Sequence, residues 1–229
     1  MTSYILDFDY LTQLVAIRGL LGRNQQADAT LSKEISDSAE WARQTTGRAN
    51  DFAVDQMVDL LHISIYQAVA HSMAAVGMLA PFMEGVFKDA FKRIGEELPR
   101  RDTAKNILAI AERRGLTPCY LPDDLATTIE ALFRYRNDSL HWGFEWPKYV
   151  CQQFQDATAQ WPDGWFEVAR IDAEPWMFSM SATFIDHCFE VAKETVGGLQ
   201  DFLVDVARRE NGLKPLGRQK ERMSWLWDG

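Results

Sequence analysis

The residues best suited to chemistry lie between Phe133 and Pro147, in the sequence F-R-Y-R-N-D-S-L-H-W-G-F-E-W-P. Within this segment Arg136 and His141 are separated by four residues, and Asn137 directly follows the arginine. An imidazole can donate or accept a proton near neutral pH, and a guanidinium stabilises negative charge. This combination indicates acid–base chemistry on an anionic substrate, as in the metal-free cleavage of a phosphodiester.

The same segment is predicted to form the C-terminal end of a helix. Asp123 and Asp124 follow Pro122, and acidic residues at such a position favour a helix start through capping and the helix dipole. Gly143 favours a helix end, because glycine readily adopts the left-handed conformation that closes many helices. The predicted helix therefore carries His141 in its last turn.

One apolar stripe of this helix contains an arginine. At about 100° per residue, the stripe comprises Leu125, Ile129, Leu132, Phe133 and Leu140. Arg136 falls within the stripe, where its permanent charge requires a carboxylate, a partner subunit or an anionic ligand. Asn137 and His141 lie one turn apart on the adjacent flank, in line with Glu130. Glu145 is a candidate carboxylate partner, and pairing with it would make Arg136 structural.

The rest of the chain predicts a helical bundle around this helix. Apolar residues at spacings of three and four predict further helices over residues 4–22, 31–46, 51–79, 81–97, 103–114 and 181–209. A polar link is expected at 24–30, and Pro81 is expected to bend or end the apolar central helix. Residues 147–181 lack helical periodicity and predict a small irregular or β-hairpin insertion. The predicted fold class is all-α.

Length and charge bound the class of protein. A chain of 229 residues is long enough for one large domain with a substantial core. The predicted organisation is an N-terminal helical extension at 1–50, a helical domain at 51–210 and a basic, tryptophan-containing tail at 211–229. A net charge of −9 argues against a surface that coats nucleic acid, although it is compatible with a local basic patch.

The cysteines and the apolar stretch at 60–83 indicate in which cellular compartment the protein is expected. Cys119, Cys151 and Cys188 are more than thirty residues apart, so no disulfide framework or C-x-x-C motif is predicted and a cytoplasmic setting is expected. Residues 60–83 contain no Asp, Glu, Lys or Arg. A membrane helix needs about 20 consecutive, predominantly apolar residues, so this stretch is long enough to form one. The polar side chains within this stretch favour a buried central helix over a membrane span.

The segment R-N-D-S-L-H, at the end of a helix in a helical-bundle pattern, resembles the R-x(4–6)-H signature of HEPN-domain proteins. In that family a polar residue commonly follows the arginine, as Asn137 does here. The resemblance covers residues 51–210 as a helical core, and its specific part is six residues long. It implies a homodimer that acts as a metal-independent endoribonuclease, often in phage defence or in toxin–antitoxin systems with a cognate antitoxin or regulatory protein.

The resemblance also implies roles for individual residues. Arg136 would bind and polarise the scissile phosphate, His141 would act as acid or base on the ribose 2′-hydroxyl or the leaving oxygen, and Asn137 would orient the site. Further residues are predicted to contact an RNA substrate through phosphates or stacked bases: Arg134, Trp142, Trp146, Lys214 and Arg218. No metal ion and no cofactor are predicted.

Two alternative functions remain open. In the first, Arg136 and His141 hold together a dimer or a polar network, and the protein is a non-catalytic HEPN-like interaction module. In the second, the protein is a metal-dependent bundle hydrolase. Metal-ligating side chains at helical spacing support the second alternative, namely Asp138 with His141, and Asp186, His187 and Cys188 with Glu190.

Overall fold

The structure is a computed structural model that describes residues 5–6 and 9–219, with the backbone alone for residues 23–29. The described chain forms six helices and two strands: α1 (Tyr10–Gln44), α2 (Arg48–Arg93), α3 (Thr103–Arg113), α4 (Leu125–Trp142), α5 (Lys148–Thr158), β1 (Phe166–Ile171), β2 (Glu174–Met180) and α6 (Ala182–Glu210). The protein is therefore a mostly helical bundle with one small antiparallel sheet. Residue 4 and residues 7–8 of the first predicted helix, and residues 220–229 of the predicted tail, lie outside the described part.

The chain divides into two compact units. Unit 1 comprises Met1–Ile17, Gly77–Tyr135 and Asp186–Gly229, and unit 2 comprises Arg18–Val76 and Arg136–Ile185. Each unit is assembled from stretches that are distant in sequence. The division into consecutive regions 1–50, 51–210 and 211–229 remains a prediction.

Unit 1 is held together by apolar helix faces. Its buried side chains include Leu79, Val86, Phe87 and Phe91 of α2, Ile107 and Ile110 of α3, Leu125, Ile129, Leu132 and Phe133 of α4, and Phe189, Leu199, Phe202 and Leu203 of α6. Residues three and four apart recur in this set, which is the spacing that places side chains on one face of a helix. The apolar stripe predicted for α4 is thus confirmed as far as Phe133.

Local signals located the helix ends correctly. Thr103–Arg113 and Ala182–Glu210 lie within one residue of the predicted bounds. Gly115 and Gly143 have φ angles of 69° and 75°, a backbone conformation that closes helices and that glycine adopts without steric cost.

Two predicted helix ends are wrong. α1 continues through the expected link at 24–30, a stretch that contains neither glycine nor proline. α2 continues through Pro81, although proline removes one backbone hydrogen bond and typically costs about 3 kcal/mol inside a helix. Pro81 itself is exposed, while Leu79, Ala80, Phe82 and Met83 around it are buried. Burial of these neighbours offsets the cost of the proline.

The insertion at 147–181 belongs to unit 2 and contains the predicted β-hairpin. Phe166 pairs with Met180 and Ile171 with Glu174, and the two residues between the strands, Asp172 and Ala173, have φ angles of 51° and 66°. Positive φ at both central positions is typical of a type I′ turn, which matches the twist of a hairpin. The sequence did not predict α5, which buries Val150, Cys151 and Phe154.

The first half of α2 is not the buried central helix that was predicted. Between Arg48 and Ala68 the only buried residue is Ala53, whereas Phe52 and Ile63 are 62% and 47% exposed. By length and composition α2 could cross a membrane, and 33% of its most apolar window is buried. Core helices of soluble proteins meet the same criteria, so this finding alone is weak support for a span.

Ser72 links α2 to β2 within unit 2. Its hydroxyl donates to the Ala68 carbonyl oxygen at 2.7 Å and accepts from the Met180 backbone nitrogen at 2.8 Å, and the side chain is fully buried. We expect Ser72→Ala to lower the free energy of unfolding by about 1 to 3 kcal/mol, because the buried Met180 N–H would lose its acceptor. Urea unfolding measures this change. Ser64→Ala removes an exposed hydroxyl that bonds only Leu61 and should cost about 0.5 kcal/mol or less; equal losses for both variants would contradict the prediction.

Candidate functional site

Arg136, Asn137 and His141 lie on the last two turns of α4, in unit 2. The helix closes directly after them, where the Gly143 nitrogen donates to the Ser139 carbonyl oxygen at 2.9 Å. Arg136 and His141 are separated by about 7.5 Å along the helix axis and by about 140° around it. A single helix therefore presents the two side chains in different directions, whereas Asn137 and His141 lie one turn apart on a common flank.

The three side chains differ in exposure. Asn137 and His141 are exposed, Arg136 is half-buried with its Nε enclosed by protein, and Arg136 is engaged with other groups of the fold. The placement of Leu140 in the buried stripe is wrong, because Leu140 is 60% exposed. The buried face of this turn instead contains Ser139, and Leu140 lies about 80° from the centre of that face, at its margin.

The ring of His141 contacts the indole of Trp142, which in turn contacts Tyr149. Its ring lies 4.4 Å from the ring of Trp142 at an interplanar angle of 89°, and Trp142 in turn lies 6.3 Å from Tyr149 at 85°. Trp142 and Tyr149 are 37% and 58% exposed. The sequence predicted Trp142 as a substrate contact and did not single out Tyr149, because the position of Tyr149 in the first turn of α5 could be assigned only once that helix was known.

The carboxylate of Glu145 is engaged by a tyrosine. The hydroxyl of Tyr66 donates to Glu145 Oε1, and this hydrogen bond raises the pKa of Tyr66, with burial and the carboxylate charge acting in the same direction. The ring of Tyr66 also contacts Phe144 at 5.8 Å. The structure thus gives Glu145 a partner on α2, which the sequence did not predict.

No family model, curated protein or solved structure matches this chain. The resemblance to HEPN domains accordingly rests on the R-N-D-S-L-H segment and its helical setting.

Trp146 is a core residue in this structure. It is 8% exposed, its indole Nε1 donates to the Gly143 carbonyl oxygen at 3.0 Å, and its ring lies 5.1 Å from Phe154 and 5.7 Å from Phe178. An RNA base cannot stack on a ring that the protein already covers. Of the two tryptophans predicted to bind substrate, only Trp142 has the necessary exposure.

The other basic residues predicted to contact RNA, Arg134, Lys214 and Arg218, belong to unit 1. Arg134 is half-buried in α4 and engaged with neighbouring groups. Lys214 is exposed, whereas Arg218 is 16% exposed and forms an ion pair with Glu194. The charge of Arg218 is therefore offset within the protein, and Lys214 is the residue of this set that is most available to an anion.

His187, one of the residues that suggested a metal site, has a carboxylate and a hydroxyl as neighbours. His187 Nε2 lies 3.2 Å from Asp124 Oδ2 and 3.0 Å from Thr128 Oγ1, beside a cavity of about 570 Å³ in unit 1. Within residues 5–6 and 9–219, no group of three or more His, Cys, Asp or Glu side chains could hold a metal ion. His187 is thus placed by a carboxylate and a hydroxyl, an arrangement common for histidines on helix surfaces.

Proposed function

We propose that the protein is a metal-independent endoribonuclease or RNA-binding protein of the HEPN type that acts as a homodimer. The observation that carries the proposal is the end of α4, where Asn137 and His141 are exposed on one flank and Arg136 is held half-buried five residues before His141. An exposed imidazole can exchange a proton with a substrate, and a guanidinium anchored by the fold can stabilise phosphate charge without reorganising.

A dimer would resolve the divergence of the two catalytic side chains. Because Arg136 and His141 point about 140° apart on one helix, two copies that meet at the ends of α4 could combine the histidine of one copy with the arginine of the other. In such a site Arg136 binds the scissile phosphate, His141 transfers a proton to or from the ribose 2′-hydroxyl or the leaving oxygen, and Asn137 orients the reacting groups.

The proposed setting is the cytoplasm, in phage defence or in a toxin–antitoxin system with an antitoxin or regulatory protein as a further partner. Free thiols support a reducing compartment: Cys119 is exposed, and Cys151 and Cys188 are buried and unbridged. Burial raises the pKa of both buried thiols, so these two cysteines are suited to packing rather than to nucleophilic chemistry.

The test of the proposed nuclease is RNA cleavage in the presence of EDTA. Purified wild-type protein should cut total RNA or tRNA, and Arg136→Ala or His141→Ala should lower the rate by about 100-fold or more, because each removes a group that acts on the reacting phosphate. His62→Ala replaces another exposed histidine of unit 2 and should cut like wild type. Intact RNA with wild-type protein, or equal cutting by all variants, would rule out the nuclease.

A non-catalytic interaction module is the second candidate function. The observation that favours it is the exposed apolar surface of unit 2, which includes Phe52 and Ile63 on α2 and Leu140 on α4. In this case Arg136→Ala would change the oligomeric state measured by light scattering, and no variant or wild-type sample would cut RNA. An unchanged oligomeric state in Arg136→Ala would speak against this candidate.

A further inference from the structure

An exposed tryptophan contacts the histidine of the proposed site, and an exposed tyrosine contacts that tryptophan. Trp142, the last residue of α4, contacts both His141 and Tyr149, and we call Trp142 and Tyr149 the aromatic ledge. The insertion that follows buries most of its other aromatic residues, as Phe154 and Trp161 show at 0% and 6% exposure. The ledge is exposed, as is Phe144 between its two residues in the sequence at 41%, and exposed apolar patches of this kind mark binding surfaces.

The segment between the two rings holds them in place. Gly143 ends α4 with φ of 75°, and its carbonyl oxygen accepts the Trp146 indole N–H at 3.0 Å. The backbone nitrogen of Val150 then donates to the Pro147 carbonyl oxygen at 2.8 Å as α5 begins. Because the connection is fixed by these bonds, little conformational freedom would be lost when a ligand binds to the ledge.

Charge near the ledge gives little attraction for phosphate. Residues 136–149 contain two basic side chains, Arg136 and Lys148, and two acidic ones, Asp138 and Glu145, so their formal charges cancel. Lys148 is further neutralised by an ion pair with Glu174 at 2.5 Å. Apart from the scissile phosphate assigned to Arg136, a nucleic acid bound to this segment must gain its affinity mainly from contacts other than those to the phosphate backbone.

We propose that Trp142 and Tyr149 form a stacking subsite for an unpaired base next to the phosphate on which His141 acts. The inference rests on the proposed function, and it adds the residues that select the substrate. Every base has a π-face, so stacking tolerates different sequences, but a base in a duplex is already stacked and paired and cannot reach the ledge. The ledge therefore selects single-stranded segments without reading their sequence.

Binding of a non-cleavable oligonucleotide tests the ledge separately from catalysis. The probe is a fluorescent single-stranded RNA with 2′-O-methyl groups, titrated with full-length protein in EDTA and followed by anisotropy. We expect Trp142→Ala and Tyr149→Ala each to weaken binding by about tenfold or more, since stacking on an aromatic ring contributes substantially per base. Tyr149→Phe keeps the ring and should bind like wild type, as should Phe52→Ala, which removes an exposed ring of unit 2 outside the ledge. A duplex of the same sequence should bind more weakly than the single strand.

The outcomes separate the ledge from the nuclease. If the single strand binds through the ledge but unmodified RNA is never cut, the stacking subsite stands and the nuclease fails. The proposal of a stacking subsite is overturned if wild type does not bind the probe, if both alanine variants bind it as wild type does, or if the duplex binds as tightly as the single strand. The proposal is also overturned if the alanine variants lose the oligomeric state of wild type while circular dichroism shows unchanged helical content. The ledge would then be an interface between copies.

Discussion

Replacement of Gly198 by alanine is expected to lower the free energy of unfolding by about 3 kcal/mol, the upper end of the usual cost of overpacking. Gly198 is buried in α6, and a Cβ at this position would overlap the backbone carbonyl oxygen of Tyr120 and lie 2.8 Å from its carbonyl carbon. The obstacle is backbone, so no change of side-chain rotamer can relieve the overlap. Either α6 or the segment that carries Tyr120 must move.

That segment is poorly able to move. The Tyr120 nitrogen donates to the Leu116 carbonyl oxygen at 2.8 Å, its ring packs against Phe202 at 5.4 Å, and its hydroxyl donates to Asp205 at 2.7 Å. All three contacts lie within unit 1. A displacement that admits one methyl group would weaken them together, which is why the expected loss exceeds that of an ordinary surface substitution.

Thermal or urea unfolding of Gly198→Ala measures the loss, and Gly77→Ala provides the matched control. Gly77 lies in α2 with nothing within 4 Å of an added Cβ. Alanine there should stabilise the protein by about 0.5 to 1 kcal/mol, because it restricts the unfolded chain and favours the helix. If Gly198→Ala were as stable as wild type, the close approach of α6 to Tyr120 would be wrong.

The sequence predicted what local signals determine. Pro122 with Asp123 and Asp124 indicated the start of α4, and Gly143 indicated its end, because capping depends on residues within one turn. The helix end predicted at Pro81 is wrong because it depended on more than local residues. The cost of the proline is local, but the burial that offsets it comes from residues packed in the core of unit 1, and packing partners cannot be inferred from one helix alone.

The sequence likewise predicted only the local features of the candidate site. Its motif and position at the end of α4 follow from spacing, whereas exposure does not. Trp142 and Trp146 are both aromatic residues after the same histidine, and only contacts with Phe154 and Phe178 decide that Trp146 is buried. Tyr66, which engages Glu145, is 79 residues away in the chain, a separation over which periodicity carries no information.

Asp205 is expected to be the second residue whose replacement strongly destabilises unit 1. It is 1% exposed and accepts hydrogen bonds from the Tyr120 hydroxyl, the Leu216 nitrogen and, at 2.8 Å, the Gly217 nitrogen. We expect Asp205→Asn to lower the free energy of unfolding by about 3 kcal/mol, because an amide cannot accept all three bonds and presents donors to donors. Asp201→Asn alters a carboxylate that receives only the exposed Gln219 nitrogen and should cost about 0.5 kcal/mol.

The difference in free energy of unfolding between wild type and Asp205→Asn should depend on pH, and this dependence identifies the Asp205 carboxylate as its source. Burial acts to raise the pKa of Asp205, but the hydrogen bonds from Leu216, Tyr120 and Gly217 outweigh it, so its pKa lies below the ordinary value of 3.8. A pKa lowered by folding contributes stability above the unfolded value, and this contribution disappears as the pH falls through the folded value. The free energies of unfolding of wild type and Asp205→Asn should therefore differ most near pH 7 and converge below about pH 4. A difference that stays constant between pH 7 and pH 3 would show that the substitution acts through shape instead of charge.

The partner of Asp205 titrates at the opposite end of the pH scale. Burial, followed by the hydrogen bond to Asp205 and the charge of that carboxylate, raises the pKa of Tyr120 from 10.0 to about 12. The unfolded chain releases this proton first, so wild-type stability should fall as the pH rises from about 10 towards 12. Tyr120→Phe has no proton to lose and should show a smaller decline over that interval, although it is less stable at pH 7 because Asp205 loses a donor. Parallel declines for the two proteins would mean that Tyr120 ionises as easily in the folded protein as in the unfolded chain, and would contradict the raised pKa.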